Sequence, residues 1–456
     1  MTIAAQESTE LSGRPGGEEA GPGMRRVALA SLAGSVLEWY DFFLYGFAAT
    51  LVFGPLFFPR ASPTAGVLAA LGTFAVGFVA RPLGGVLFGH LGDRLGRKKM
   101  LVATLLIMGI PSFLIGLLPS YAAIGWAAPA LLVLLRFLQG VGLGGEWAGA
   151  VLVVTETSPR RRSGFWGSLV QTGSAVGQGL ATGSLFILAS TLSEHSFVTW
   201  GWRVPFVFGL ALGVVGLFIR LRVIESPEFT ALRRSGELSP FPLREAVRQH
   251  GRTMLICFAV YLGGVTVPFF IETVFLTGYG TKTLGLPSSS VLLGISAVHV
   301  TVFWALTVLG GWLADRVGAN NVIRGGLLAL LTLPAVGLLA VLAASSTLPS
   351  LLITEVLIGA PLWVIWGALP KYLADSFPAR VRYTGMSLSG QSSTIIGGLI
   401  PLLLTSVVAH VGGALWPVAV TTTAVAALGV LGPIIGPRRP PGLATPPHRD
   451  PGRSPA

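Results

Sequence analysis

Gly89-His90-Leu91-Gly92-Asp93-Arg94-Leu95-Gly96-Arg97-Lys98-Lys99 joins two long apolar runs through a short, charged connection. An offset of 222 residues brings Gly311-Trp312-Leu313-Ala314-Asp315-Arg316-Val317-Gly318, which keeps a glycine at each end and the Asp-Arg pair between them. Another echo has a nearly equal offset: Ser158-Pro159 through Ser163-Gly164 is matched by Phe377-Pro378 through Thr384-Gly385. Two matches at one spacing mark an internal duplication, the sequence trace of two repeats related by an axis along the membrane normal. The connection has readable chemistry. Gly96 permits a tight turn, Asp93 can bond a helix N-terminus or an arginine, and Arg94, Arg97 and Lys98 are set to hold the loop at anionic headgroups. The second copy has Ala319-Asn320-Asn321 where the first has Arg97-Lys98-Lys99, so it is expected to be the weaker one.

Composition says what surrounds these loops. The chain has 456 residues, 52% hydrophobic and 11% charged, with a mean hydropathy of +0.74. Globular chains carry about 25% charged residues, so the solvent for most of this chain is lipid. The 61 glycines fit helices that approach closely in a membrane. Cys257, the single cysteine, excludes an internal disulfide and a cysteine-based metal cluster.

A helical span needs roughly 20 apolar residues. Twelve stretches qualify, at about 27–55, 66–89, 100–118, 124–155, 165–190, 203–221, 253–279, 290–313, 322–343, 348–370, 384–409 and 414–435. The expected fold is an all-α membrane protein with twelve transmembrane helices in two pseudo-symmetric six-helix bundles, 27–221 and 253–435. A cytoplasmic linker, 222–252, joins them, and its basic residues include Arg222, Arg252 and the adjacent Arg220. Residues 1–26 and 436–456 are expected to be disordered cytoplasmic tails, with no signal peptide at the start. Of the 31 Lys and Arg residues, 26 then fall on the cytoplasmic side, while only Arg60, Arg203 and Lys282 fall outside. That bias orients the chain with both termini inside. The net charge of +12 therefore reflects topology and not a nucleic-acid partner. Trp200, Trp202 and Trp416, near span ends, read as interfacial anchors.

Across residues 25–435 the sequence resembles the major facilitator superfamily, whose loop signature between helices two and three matches Gly89 to Lys99. The resemblance implies a cytoplasmic latch in which Gly89, Asp93, Arg94, Gly96 and Arg97, with Asp315 and Arg316 in the second copy, gate the outward-facing state. A topology anchor without a gating role is the plainer alternative. A narrower resemblance, to the metabolite:H+ symporter family of dicarboxylate, citrate, shikimate and betaine carriers, rests on several segments. These are Glu38-Trp39-Tyr40-Asp41-Phe42-Phe43-Leu44-Tyr45, Ala80-Arg81-Pro82-Leu83-Gly84-Gly85, Arg136-Phe137-Leu138-Gln139-Gly140 with Gly144-Gly145-Glu146, and Glu225-Ser226-Pro227-Glu228-Phe229.

Depth singles out the site. At about 1.5 Å per residue, Glu38, Arg81 and Arg136 from three helices all fall roughly 18 Å from a span end or charged loop. Each would cost at least ~2.5 kcal/mol facing lipid, so they are expected to face a watery cavity or one another. Glu38, Asp41 and Tyr45 share a helix face by their i, i+3, i+7 spacing. Arg81 and Arg136 are candidates for grasping a substrate carboxylate, since guanidinium binds it bidentately and stays charged; the resemblance favours Arg81. Tyr45, Gln139 and Glu355 are further candidates for substrate binding. Asp41 and Glu38 are candidates for proton coupling, because burial penalises the charged form of a carboxyl. The structural alternative is a permanent pairing of these acids with the arginines. Glu146, two turns from Gln139, reads as a structural or gating partner. Glu355 follows Arg136 by 219 residues, which puts opposite charges at equivalent depths in the two repeats. Glu272 falls near the external end of its span. His299 with Trp304 could line the cavity, a packed histidine being the plainer reading.

These features predict a secondary active transporter that carries a small organic solute, an organic acid, by proton symport and alternating access. It is expected to use no cofactor beyond the coupling proton, and to work as a monomer in the bacterial inner membrane. A facilitator or exporter of the same fold is the near alternative and a non-transporting sensor a remote one. An enzyme is not expected: there is no metal-ligand cluster, nucleophile–base pair or phosphate-cradling loop, and no GxxxxGK[ST] sequence for ATP-driven pumping.

Overall fold

The computed structural model describes residues 22–222, 225–343 and 347–435. Every regular element among them is helical, as hydrocarbon surroundings demand, because a helix satisfies its own backbone donors and acceptors. The first half runs through α1 (Pro22–Ala48), α2 (Pro63–Leu95), α3 (Arg97–Leu117), α4 (Ala127–Thr157), α5 (Ser163–Gln171), α6 (Gly173–Thr191) and α7 (Arg203–Leu221). The second half begins with α8 (Pro227–Ser235) and α9 (Pro242–Tyr261), then α10 (Ser288–Val298), α11 (Trp304–Leu313), α12 (Ala319–Leu330) and α13 (Leu333–Ala343). It ends with α14 (Leu348–Ser376), α15 (Arg382–His410) and α16 (Trp416–Ile435). Single wide π turns occur at Ala49–Phe53, Phe197–Gly201, Leu262–Thr266, Ile271–Phe275, Tyr279–Thr283, His299–Phe303 and Ala314–Gly318.

Ten stretches among the described residues are long and apolar enough to cross a membrane, against the twelve expected. Two differences account for the gap. Ser288–Leu338 forms one 51-residue stretch where an eighth and a ninth span are expected. The expected span 165–190 is divided at Thr172 between α5 and α6, and the first part of α6, Gly-Ser-Ala-Val-Gly-Gln-Gly, dilutes its hydropathy.

Close helix contacts repeat in the two halves. A Cβ on Gly84 would meet the Val141 carbonyl, and one on Gly144 would meet that of Arg81. Gly310 stands in the same relation to Val364, and Gly367 to Thr307. Glycine lets α2 touch α4, and α11 touch α14, backbone to backbone. This register equates Arg81 with Thr307 and Arg136 with Gly359. Glu355 therefore lies one turn from the position that the loop offset assigned to it.

Three other expectations change. Trp202 is no interfacial anchor: it is fully buried, 5.3 Å from the Phe53 ring and 5.7 Å from Phe206, whereas Trp200 and Trp416 are exposed. Arg220 is no linker cation but a buried partner of Glu146. Within 222–252, Ser226 caps α8 by accepting from Phe229 N at 3.2 Å, and Gly236 ends that helix at φ +74. Pro22 already belongs to α1; residues 1–21 and 436–456 of the expected tails lie outside the described residues.

Candidate functional site

At the centre lies a cavity of about 50 Å³. α1, α2 and α4 line it from the first half; the segment after α9, together with α14 and α15, lines it from the second. Its polar groups are few, chiefly Glu38, Arg81, Gln391 and Thr394. Its walls are rings. Trp39 meets Phe269 at 5.4 Å and Trp366 at 6.1 Å, and Trp147 stacks on Trp366 at 5.8 Å, so the two halves interlock through aromatic side chains. The Arg81 guanidinium stands 5.2 Å from the Phe78 ring and 5.8 Å from Phe42. No carboxylate lies within 4.0 Å of it among the described residues, although Glu38 lines the same space. One water needs about 10–15 Å³ of such volume, so in this form the cavity has room for a few waters but not for an organic solute.

Asp41, Tyr45, Arg136 and Gln139 are elsewhere. They form a buried cluster inside the first half, and none of them lines the cavity. Asp41 Oδ1 accepts from the Ser112 hydroxyl at 2.8 Å, and its Oδ2 has no partner. Tyr45 shares a 2.6 Å hydrogen bond with Thr73. Arg136 donates to Gln139 Oε1 and lies over the Tyr45 ring at 4.2 Å and the Phe74 ring at 4.8 Å. The face expected to carry Glu38, Asp41 and Tyr45 together is thus divided: Glu38 turns to the cavity, while Asp41 and Tyr45 turn into the bundle. Phe42 and Phe74, 5.2 Å apart, bridge the two groups.

Five arginines are buried among the described residues: Arg81, Arg97, Arg136, Arg220 and Arg382. Arg220 pairs with Glu146, which also accepts from Thr104 at 2.7 Å; this acid is a structural partner. Arg97 and Arg382 pair with Glu156 at 3.5 and 2.9 Å. The two without a carboxylate within 4.0 Å are Arg81 and Arg136.

In the second half Glu355 meets a histidine and not an arginine. His299 Nδ1 lies 3.3 Å from Glu355 Oε1, and Nε2 lies 3.4 Å from Glu272 Oε1. Trp363, whose ring lines the cavity, donates its indole N–H to Glu272 at 3.0 Å. All three ionisable groups are buried. Trp304, expected beside His299 in the cavity, is exposed on the outer surface at 44%.

The charged loops close one end of the molecule. Asp93 accepts from Tyr383 N at 3.2 Å and Thr384 N at 2.9 Å, capping the start of α15, and pairs with Arg97 at 3.2 Å. Arg97 is fully buried and also donates to the Ala379 carbonyl at 2.8 Å, so it is a tie between the halves and not a headgroup anchor. Gly96 turns at φ +112, where a Cβ would collide with Glu225, the acceptor of the Arg97 N–H at 3.0 Å. Gly89 packs on the Thr384 backbone, 2.8 Å being all that a Cβ would have. Arg94 is exposed. In the second copy Asp315 accepts from Gly164 N at 2.8 Å and Phe165 N at 2.7 Å, capping α5. Its cation is Lys371 at 4.0 Å, while Arg316 turns outward over the Trp312 ring.

Sequence reasoning missed the aromatic wall and Gln391, whose buried Oε1 has no partner. The signals were there: Trp363 and Trp366 are one turn apart, and Gln391 and Thr394 share the spacing on α15.

Among the described residues no group of His, Cys, Asp or Glu could hold a metal ion. Residues 27–249 match the family model described as "Sugar (and other) transporter". An inner membrane metabolite transport protein of Escherichia coli, YhjE, is 40% identical over 382 residues, covering 82% of this chain and 86% of the relative. The shikimate transporter of the same organism is 38% identical over 417 residues, 89% of this chain and 93% of the relative. A proline/betaine transporter of Salmonella typhimurium is 34% identical over 83% of this chain and 77% of the relative. Among solved structures, the proton:xylose symporter XylE matches with a TM-score of 0.71 at 17% identity, covering 91% of this chain and 95% of that one, a likeness of fold. At such identities over most of both chains kinship is plain: the chain belongs to the major facilitator superfamily of membrane transporters, with the shikimate and betaine carriers of its metabolite:H+ symporter family.

Proposed function

We propose that the chain is a proton-coupled symporter of a small organic acid, working by alternating access in the bacterial inner membrane. The observation that carries this reading is Arg81: a buried guanidinium at the central cavity, with no carboxylate within 4.0 Å among the described residues. A solute carboxylate would complete it bidentately. Among the described residues only this one arginine lines the cavity, Glu38 lines it with Arg81, and the walls are aromatic. That balance favours a solute with one carboxylate and an apolar or cationic body over di- and tricarboxylates, and the shikimate and betaine carriers among the relatives agree with it. Arg136, Tyr45 and Gln139 act behind the cavity, and Glu355 belongs to the second half's own cluster. Asp41 and Glu38 exchange the coupling proton.

Twelve crossings in two six-helix bundles, 27–221 and 253–435, accommodate the ten apolar stretches. At about 1.5 Å per residue, a 51-residue stretch is far longer than one span and turns back at Gly318, φ +90; α5 and α6 together supply the other. The linker 222–252 and both tails then lie in the cytoplasm with the latch loops, and a monomer suffices. The Gly89, Asp93, Arg94, Gly96, Arg97, Asp315 and Arg316 loops act as the cytoplasmic gate, closed here. Hydrogen bonds between the halves run from that end inward only as far as Gln171 and Trp366, at 3.3 Å, among the described residues. The opposite end is therefore the one that opens to receive solute.

The test is uptake by the purified chain in liposomes of labelled shikimate, glycine betaine, proline and a dicarboxylate, with and without an inward proton gradient. Gradient-driven accumulation of a one-carboxylate solute, lost in Arg81→Ala and Asp41→Asn, is expected. Equilibration that ignores pH would make the chain a facilitator.

A further inference from the structure

We propose that Glu272, His299 and Glu355 form a second proton-binding site, in the second half, linked to the solute cavity through Trp363. The proposal rests on the proton-coupled reading above but is separable from it. Three ionisable side chains from three segments converge without solvent: His299 is 1% exposed, Glu272 and Glu355 0%. Charge is the deciding issue. With both acids ionised and the imidazole neutral, the cluster would hold two negative charges; protonating the imidazole leaves one. A buried charge without a partner costs several kcal/mol, so the neutral cluster carries two protons, and losing one leaves it negative.

Among the described residues nothing else nearby supplies a counter-charge. α6, α10, α11 and α13, packed around the cluster, contain no charged residue. On α14 the nearest charge is Lys371, more than four turns from Glu355; on α15, Arg382 and His410 lie at the two ends. Tyr279 and Lys282 follow Glu272 by two turns or more, and Tyr261 lies three turns before it on the cavity wall.

The hydrogen inventory says where the proton moves. His299 Nδ1 is 3.0 Å from the Ile295 carbonyl, which can only accept, so Nδ1 carries a hydrogen. The exchangeable ring position is Nε2, which faces Glu272 and has no hydrogen-bond partner. Glu272 Oε2 and both Glu355 oxygens are also unpartnered, leaving acceptor positions for the second proton. Glu272 and His299 each lie in a π turn, a departure from regular helix that is frequent at functional sites. Gly359 makes the room: a Cβ there would run into Glu272 Oε2 and the Phe303 ring. Trp363 gives the connection, since one face lines the cavity while its N–H holds Glu272 Oε1. A solute that displaces this ring removes a donor from the ionised acid, so filling the cavity favours keeping the proton.

The test follows protons and needs no solute. Infrared difference spectra of the full chain in liposomes, recorded as pH is raised, should show a protonated-carboxyl band disappearing. Glu272→Gln and Glu355→Gln should each remove part of it. His299→Gln should displace its midpoint by about tenfold in proton concentration or more. Trp363→Phe keeps all three ionisable groups and should move the same midpoint, which covers the case of a polar variant that fails to fold. A band in the native chain that ignores pH, or one whose response is identical in every variant, would overturn the proposal. Normal titration with no gradient-driven uptake of any probe would sink the symport reading and leave this site standing. Uptake and band both unchanged in Glu272→Gln would sink this site alone.

Discussion

The two halves share a backbone plan and differ in charge. Gly84 and Gly144 bring α2 onto α4 just as Gly310 and Gly367 bring α11 onto α14, and Asp93 caps α15 as Asp315 caps α5. At the position of Arg81 the second half has Thr307, and at that of Arg136 it has Gly359. Deep within its bundle it has instead two carboxylates and a histidine. Duplication preserved what positions helices and let the ionisable groups diverge, so the first half sets a cation and Glu38 at the cavity while the second keeps its acids and histidine buried behind Trp363.

The largest expected effect tests that division. Truncating one partner of a buried charge pair costs about 2–5 kcal/mol, so Arg81→Ala should lower initial uptake on the order of 10²-fold. Thr307→Ala, whose hydroxyl bonds only its own helix at the Phe303 carbonyl, 2.9 Å away, should change uptake less than about twofold, near the ordinary scatter of such substitutions. Equal losses in both variants would break the comparison.

The latch copies differ next. Asp93→Ala removes two backbone caps between the halves and a buried ion pair with Arg97, and breaking such a pair costs about 3–5 kcal/mol. Asp315→Ala removes caps of the same kind, but its cation, Lys371, is partly exposed and no closer than 4.0 Å, so about 1 kcal/mol is expected, the usual value of a cap. Spin labels at Arg161→Cys and Asp375→Cys, on opposite halves of the closed end, report the open fraction; the lone native Cys257 is buried. It should rise far more in the Asp93 variant.

What was legible in the sequence follows the same line. The repeat, the capping acids and the turn at Gly96 were readable because each depends on local geometry. Arg97 was misread as a headgroup anchor because its burial depends on Glu156 and Ala379, distant in the chain. The separation of Asp41 from Glu38 was equally hidden. Their i, i+3 spacing puts them within about 60° on a helix of 3.6 residues per turn, and only neighbouring helices decide which part of that sector meets the cavity. The cluster around His299 was visible as single residues, yet its assembly needed two π turns and a glycine on α14.

Where the halves agree, equal effects are expected. Gly144→Ala and Gly367→Ala each drive a Cβ into a facing carbonyl, and overpacking of this kind costs about 1–3 kcal/mol. Thermal melting in detergent should fall by similar amounts for the two variants. A large drop in one alone would mean that the shared register is not shared in energy.

The smallest effect would come from rebuilding the second latch. Ala319 stands four residues after Asp315, as Arg97 stands four after Asp93, so Ala319→Arg restores the missing cation. Its acid would be Asp375, which stands three residues before Pro378 as Glu156 stands three before Pro159. Glu156 is buried at 1%, whereas Asp375 is exposed at 64% and already 3.7 Å from Lys371. A solvent-exposed pair contributes about 0.2–1 kcal/mol, so the open fraction read by labels at Arg161→Cys and Arg380→Cys should shrink less than about fivefold. A much larger gain would mean that the second latch lacked only its arginine. A gain near zero would locate the first copy's strength in the burial of Glu156, supplied by α8 and α15, and not in the loop sequence that the two copies share.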